Sequence, residues 1–493
     1  MRFGPTRQHI SFIFENFLKD AFFLIVAIFL AIRANDTDEA IGELVIAGAL
    51  LLGPLFRIVS YYVTVISVEN DMLIVKSGLL SKVRKEMPIS GITTINLTQS
   101  IFHQAFGAYR MIINNSSNIS EDAEINITLS KAKALELRSI LTSEAGIIDG
   151  AKASVARVAE EDLPQGAKVF TVSTAQLMLY GALRSKGATV LKIIGGMLAL
   201  IGFFGELFDK AFDKLINAIT EQLAITDVSD VGVVVVLIII AIGIISSIVF
   251  GAVGALLQYY DFRIVDYGRE LHINYGIITK KNYKFDKSKI AGISYEQPLL
   301  MRLAGIGMLK CIAVGYGWGD SDVSQEDPML LPLAKSSEYE SIISSFISEL
   351  EKKSPVTKPE IKSAYYFLYR PINILTIVLA IAACIAANMI HSAFYAAAAL
   401  VLLLGFIDIC MQFNNSSISS NEDNVRISRG GFTKTTDCIR TDYIESVTDT
   451  ATIWKRRKGI AHIMVGYFAK GGHAIAVNVS SSAADELLRY VDF

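Results

Sequence analysis

Six apolar segments punctuate the chain, at 17–32, 44–60, 190–208, 231–260, 372–391 and 393–413. A helix that crosses a bilayer needs about 20 predominantly apolar residues. Residues 231–260 run without a charge and meet that length alone. The other five are shorter or interrupted, as by Arg57 near the end of the second and Lys192 near the start of the third. The segments fall into three pairs, and each pair predicts a helical hairpin. Backbone in lipid must satisfy its own hydrogen bonds, and a chain that enters must return to place the next polar block on the same side. Six spans are therefore expected.

The polar blocks repeat one pattern without a gap: "ENDMLIVKSGLLSKVRKEMPISGITTINLTQSIFHQAFG", "YGRELHINYGIITKKNYKFDKSKIAGISYEQPLLMRLAG" and "NEDNVRISRGGFTKTTDCIRTDYIESVTDTATIWKRRKG". Apolar residues stand five and three positions before the first glycine (Leu73 and Val75, Leu271 and Ile273, Val425 and Ile427), the period of a strand with one buried face. A turn precedes that strand, and Gly78, Gly276 and Gly430 end it where a positive φ is needed. Ile92, Ile290 and Ile444, then Gly107, Gly305 and Gly459, complete the frame. Two more strand-like stretches follow in each block, at 111–113 and 125–129, 308–314 and 329–331, and 460–468 and 474–479. A helical run with apolar residues at three and four closes each block. The block is one folding unit used three times. Such a small antiparallel sheet protects its edges best by curling into a barrel with the C-terminal helix at an open end.

The expected boundaries are hairpins at 12–60, 187–260 and 371–413, barrel domains at 61–145, 261–352 and 414–493, and linkers with amphipathic lead-ins at 146–186 and 353–370. Composition agrees with a mixture of membrane and polar parts: 493 residues, 52% hydrophobic and 19% charged, with a mean hydropathy of +0.44. A formal charge of -2 gives no basic field for nucleic acid. Cys311, Cys384, Cys410 and Cys438 lie far apart and predict neither a disulfide framework nor a zinc site, as in a reducing compartment. The loop RANDTDEAIGE and the loop at 206–230, with six acidic residues against Lys210 and Lys214, are poor in cations. Arg2 and Arg7 precede the first span, so the N-terminus and all three blocks are expected in the cytoplasm, below a bacterial inner membrane. Glu15, Lys19 and Asp20 interrupt the first segment, against a signal peptide.

The stretch VKSGLLSKVRKEMPISGITTINLTQSIFHQAFG resembles the signature of the second bacterial pleckstrin-homology (PH) family. The whole chain, three hairpins each followed by such a block, is similar to the YdbT-like bacterial membrane proteins. Asp286 and Lys287 flank the position of the first block's proline in the second block, and the third carries Lys455-Arg456-Arg457-Lys458 where the first has 102–105. The resemblance implies PH-like barrels and a membrane-bound, non-catalytic role, and it carries no ligand or catalytic residue across.

The candidate chemistry is electrostatic. His9, His103, His272, His391, His462 and His473 are scattered, with no HExxH, GxSxG or GxxxxGK[ST], so no enzyme, cofactor or metal is expected. GYGWGDSD at 315–322 reads as a hairpin turn rather than a phosphate loop. A transporter is the alternative, with six helices forming the pathway for a small molecule or lipid and the domains regulating it. Arg57, Lys192 and Asp408 lie toward segment ends, which favours boundary placement over a buried pathway. Every block has a lysine four residues after its first glycine (Lys82, Lys280, Lys434), extended by Arg84 and Lys85 and by Lys281 and Lys284. These are headgroup or partner contacts, or solvated lysines that guard strand edges. Trp454 beside Lys455, Arg456, Arg457 and Lys458 joins an interfacial aromatic to four cations and is the sharpest site, against an ordinary basic loop. The expected partners are the bilayer, anionic headgroups and other membrane proteins or a second copy. The role expected is a membrane-tethered scaffold that gains avidity from three weak faces.

Overall fold

The computed structural model describes residues 3–14, 20–31 (except 22, 26, 29 and 30), 37–78, 82–115, 124–144, 168–184, 228–313, 329–347, 350, 355–389, 393–467 and 472–490. The chain opens with β1 (Phe3–Arg7), and α1 (Thr37–Val63) leads into the first block. That block is β2 (Val65–Glu69), β3 (Met72–Ser77), β4 (Val83–Pro88), β5 (Ile92–Gln99), α2 (Ile101–Ala105), β6 (Ala108–Asn115), β7 (Glu124–Ser130) and α3 (Lys131–Glu144). Next come β8 (Lys168–Thr171), α4 (Thr174–Arg184) and α5 (Val228–Tyr259). The second block is β9 (Arg263–Asp266), β10 (Glu270–Tyr275), β11 (Lys280–Asp286), β12 (Ile290–Gln297), α6 (Leu299–Leu303), β13 (Ile306–Ala313), β14 (Met329–Lys335) and α7 (Tyr339–Phe346). A 3-10 turn (Ile361–Phe367) precedes the helices α8 (Pro371–Met389) and α9 (Ala393–Asn415). The third block is β15 (Ser417–Ser420), β16 (Asn424–Arg429), β17 (Lys434–Arg440), β18 (Ile444–Thr450), α10 (Ile453–Arg456), β19 (Ile460–Tyr467), β20 (Gly472–Ser480) and α11 (Ser482–Leu488).

The repeat frame of the sequence is the frame of the fold. Gly78, Gly276 and Gly430 have φ of 93°, 105° and 104°, the left-handed region that a Cβ disfavours. A 3-10 turn then carries each chain from its first three strands to its second three, and Ile92, Ile290 and Ile444 start the second set, all buried. In the first block Leu73, Val75, Ile95, Met111 and Ile127 form one core with Ala134, Leu137 and Leu141 of α3, which recur at three and four. In the third, Ala483, Ala484 and Leu487 of α11 join Val425, Ile427, Ile463 and Val479. Each fully buried leucine or isoleucine here is worth about 1.5–3 kcal/mol over exposure.

One expectation needs correction. Among the described strands no block curls into a closed barrel of its own. The chain divides into two compact units, Met1–Thr171 with Asp261–Ile290 and Ala313–Asp327, and Val172–Tyr260 with Ala291–Ile312 and Pro328–Phe493. The first holds a four-stranded sheet, β1-β2-β3-β4, and a seven-stranded sheet, β7-β6-β5-β11-β10-β9-β8. The second holds a six-stranded sheet, β14-β13-β12-β17-β16-β15, and a three-stranded sheet, β18-β19-β20. The open edge of β5 is thus satisfied by β11 of the next block, and that of β12 by β17 of the third. Backbone donors and acceptors at an edge need partners, and a neighbouring repeat supplies them as well as barrel closure would.

Among the described residues, three helices carry apolar windows long enough to cross a membrane, Val45–Val63, Ile240–Tyr259 and Ala398–Asn415, with a shorter one at Asn373–Ile385. The expected arm at 190–208 and the turn at 315–322 lie outside the described residues. The loop RANDTDEAIGE is shorter than its composition suggests, because α1 begins inside it at Thr37. Before each apolar region the chain also adds to the sheet that follows it: β1 pairs with β2, β8 with β9, and Thr357 bridges Ile418. The segments that flank each apolar region are therefore neighbours in one sheet.

Candidate functional site

The basic run of the third block begins in the short helix α10 and ends in the turn that follows it. Thr452 caps α10 by accepting a hydrogen bond from the Lys455 backbone N–H, at 3.4 Å from N to Oγ1. One turn of helix splits the four cations between two environments. Lys455 points inward, donating to Asn478 Oδ1 at 2.9 Å, with its Nζ 2.8 Å from His462 Nε2 and 5.2 Å from the Tyr366 ring centroid. Burial holds its ammonium below the usual lysine range. Lys458 donates to the Tyr365 hydroxyl at 2.7 Å and lies 4.8 Å from that ring's centroid, a hydrogen bond that raises its pKa. Arg456 and Arg457 are exposed, Arg456 at 3.8 Å from Asp449 and Arg457 at 5.7 Å from the Trp454 ring centroid. Ile453 and Trp454 stand out at 72% and 69% exposure, so the helix presents two large apolar side chains beside two guanidinium groups.

The inward half is built by a β-bulge. The pairing of β19 and β20 shifts between Ala461 and Ile463, and Asn478 opposite takes φ 54°. Burial, then Lys455 and Arg370, drive the His462 pKa down to about 4, so the imidazole is neutral at pH 7. His462, Asn478, Tyr365 and Tyr366 escape a reading of the sequence. The run SAYYFLYR, dense in aromatics just before an apolar segment, is the signal that points to the tyrosines.

The equivalent helices repeat the apolar tip with fewer cations, the second module keeping Arg302 where the third has Arg456. In α2, Ile101 is exposed, and Phe106 just beyond it; in α6, Leu300 and Leu303 are exposed, while His103 and Met301, which align with Lys455, are buried. The remaining sequence candidates do not gather into one patch. Lys280 and Lys434 stand opposite Gln99 and Gln297, where neighbouring blocks join, and Lys281 lies 5.9 Å from the Tyr275 ring centroid. Burial lowers the Lys434 pKa. Lys284 opposes His272 within the second block. Lys82, Arg84 and Lys85 lie at or beside the β4 edge, with Arg84 paired to Glu86.

The bacterial PH domain model matches three times, at residues 17–145, 216–346 and 372–492, most of the chain and one match per repeat. The chain belongs to the bacterial PH domain family. The UPF0699 transmembrane protein YdbT of Bacillus subtilis (strain 168) is 22% identical over 462 residues, covering 90% of this chain and 86% of that protein. No solved structure matches. This bacterial PH protein is therefore a transmembrane protein with three PH-like repeats and apolar helices between them.

Proposed function

We propose that this protein is a six-span, non-catalytic scaffold of the bacterial inner membrane, whose three PH modules face the cytoplasm and whose third module engages anionic lipid headgroups through α10. The six-span reading is supported by the sheet pairs that flank each hairpin. If entry and exit share a sheet, each hairpin crosses the bilayer an even number of times. The headgroup reading is carried by one observation, the exposed Ile453 and Trp454 beside Arg456 and Arg457 on a single helical turn. An indole and an aliphatic side chain favour the interface, and each cation near an anionic leaflet adds about 1 kcal/mol. Asp408 fits a boundary better than a transport pathway, since it accepts the Phe432 backbone N–H at 2.8 Å from the glycine turn of its own module.

The test uses the full chain in nanodiscs, with Trp318→Phe leaving Trp454 as the single tryptophan. Brominated anionic lipid should quench Trp454 more strongly than brominated neutral lipid, and Arg456→Ala with Arg457→Ala should remove the difference. Equal quenching by both lipids would end the headgroup reading.

A further inference from the structure

The two joints between modules use one register. Lys280, four residues after the first glycine of its module, stands opposite Gln99, twenty-one residues after the first glycine of the preceding one. Lys434 stands opposite Gln297 at the same two offsets. Three modules contain three copies of each joining strand, yet two joints use only two of each. Among the described strands the leftovers are β4 of the first module, an edge paired with β3, and β18 of the third, an edge paired with β19.

Both leftover strands are exposed where their counterparts are covered. Six residues of β18 are exposed or half-exposed, whereas β12 at the same repeat position is buried at seven of its eight residues. The charges are opposite. β4 reads VRKEMP and follows Lys82, whereas β18 reads IESVTDT, with Glu445 and Asp449. Extending the shared register places Lys82 opposite Ala451, Val83 opposite Thr450, Arg84 opposite Asp449 and Lys85 opposite Thr448. The one cross-strand ion pair this creates, Arg84 with Asp449, brings opposite charges face to face. Each has a partner within its own module now, Glu86 for Arg84 and Arg456 for Asp449, and all four residues are exposed enough for such pairs to exchange.

We infer that β18 of one copy adds to β4 of a second copy, in the register of the two internal joints, so that this protein associates head to tail through continuous β-sheet. The occupant is a second copy because the matching edge, with its offset and its charge, is present in this chain. Edge addition takes its affinity from main-chain hydrogen bonds and its register from side chains. Since every copy offers one edge of each kind, the contact repeats into chains or closed rings. The inference does not rest on headgroup binding; its one contact with α10 is the Asp449–Arg456 pair, which gives way to Arg84.

Two differently tagged copies of the full-length protein, each with Cys384→Ala and Cys410→Ala, are co-expressed, one with Val83→Cys and the other with Thr450→Cys. Directly opposed strand residues have Cα atoms roughly 4.5–5.5 Å apart, within disulfide reach. Oxidation in native membranes should give a disulfide-linked dimer that carries both tags, and moving the second cysteine to Thr448 should abolish it. Arg84→Asp should lower the yield by roughly two- to fivefold, and Asp449→Arg on the other copy should restore it. No dimer, or equal yields from the two cysteine positions, would overturn the inference. So would a chain carrying both Val83→Cys and Thr450→Cys that cross-links only within itself.

Discussion

At the level of single residues, the sharpest sequence motif changes meaning once folded. Four consecutive cations read as one patch, but a helical turn sends Lys455 inward to Tyr366, His462 and Asn478 and leaves Arg456, Arg457 and Lys458 exposed, Lys458 bonded to the Tyr365 hydroxyl. Residue types alone could not divide them, because the division depends on a bulge between β19 and β20 and on aromatics some ninety residues upstream. His462 gives a pH prediction. Its folded pKa of about 4 lies below the ordinary 6.5, so the unfolded chain binds an extra proton between those values. Stability from this group is complete above about pH 6.5 and is lost as pH falls toward 4. The thermal midpoint of the detergent-solubilised protein should drop over that window, and His462→Gln should shallow the drop. His103, held near 4 by burial and by Arg110 and His9, supplies the same sign in the first module and should account for part of what remains.

At the level of elements, two glycines mark where backbones meet. A Cβ on Gly181 of α4 would overlap the carbonyl of Gly251 in α5, beside the edge-on pair Tyr180 and Tyr259 at 5.5 Å between centroids. Gly181→Ala forces two helices apart and should cost about 1–3 kcal/mol, read as a lower thermal midpoint with Gly254→Ala as the control, since nothing lies near a Cβ there. Gly431 lies against the Asp408 carboxylate, which also holds Gln412 and the Phe432 N–H. Gly431→Ala should displace that carboxylate and increase proteolysis between α9 and β16; unchanged cleavage would count against the anchoring role. Glycine turns and the three-and-four spacing of the terminal helices were legible because each is a local pattern. The short strands β1 and β8 were not, since five or four residues beside a long apolar segment carry too little periodicity.

At the level of the whole molecule, the topology makes one comprehensive prediction. If all three modules lie in the cytoplasm, single cysteines at Asn70, Arg269 and Glu422 should resist a membrane-impermeant maleimide in intact cells and react after permeabilisation, whereas Thr37→Cys should react from outside. A reactive module cysteine in intact cells would remove the six-span arrangement. The sequence by itself determined the threefold repeat, the strand register within each repeat and the alternation of apolar segments with polar blocks, because burial periodicity and glycine conformation are written residue by residue. Only the tertiary structure decided that the sheets run on from one repeat to the next, through β5 with β11 and β12 with β17. Pairing along an edge is made by backbone N–H and C=O groups that every residue carries, so the apolar and glycine pattern within one block does not by itself say which edges will meet.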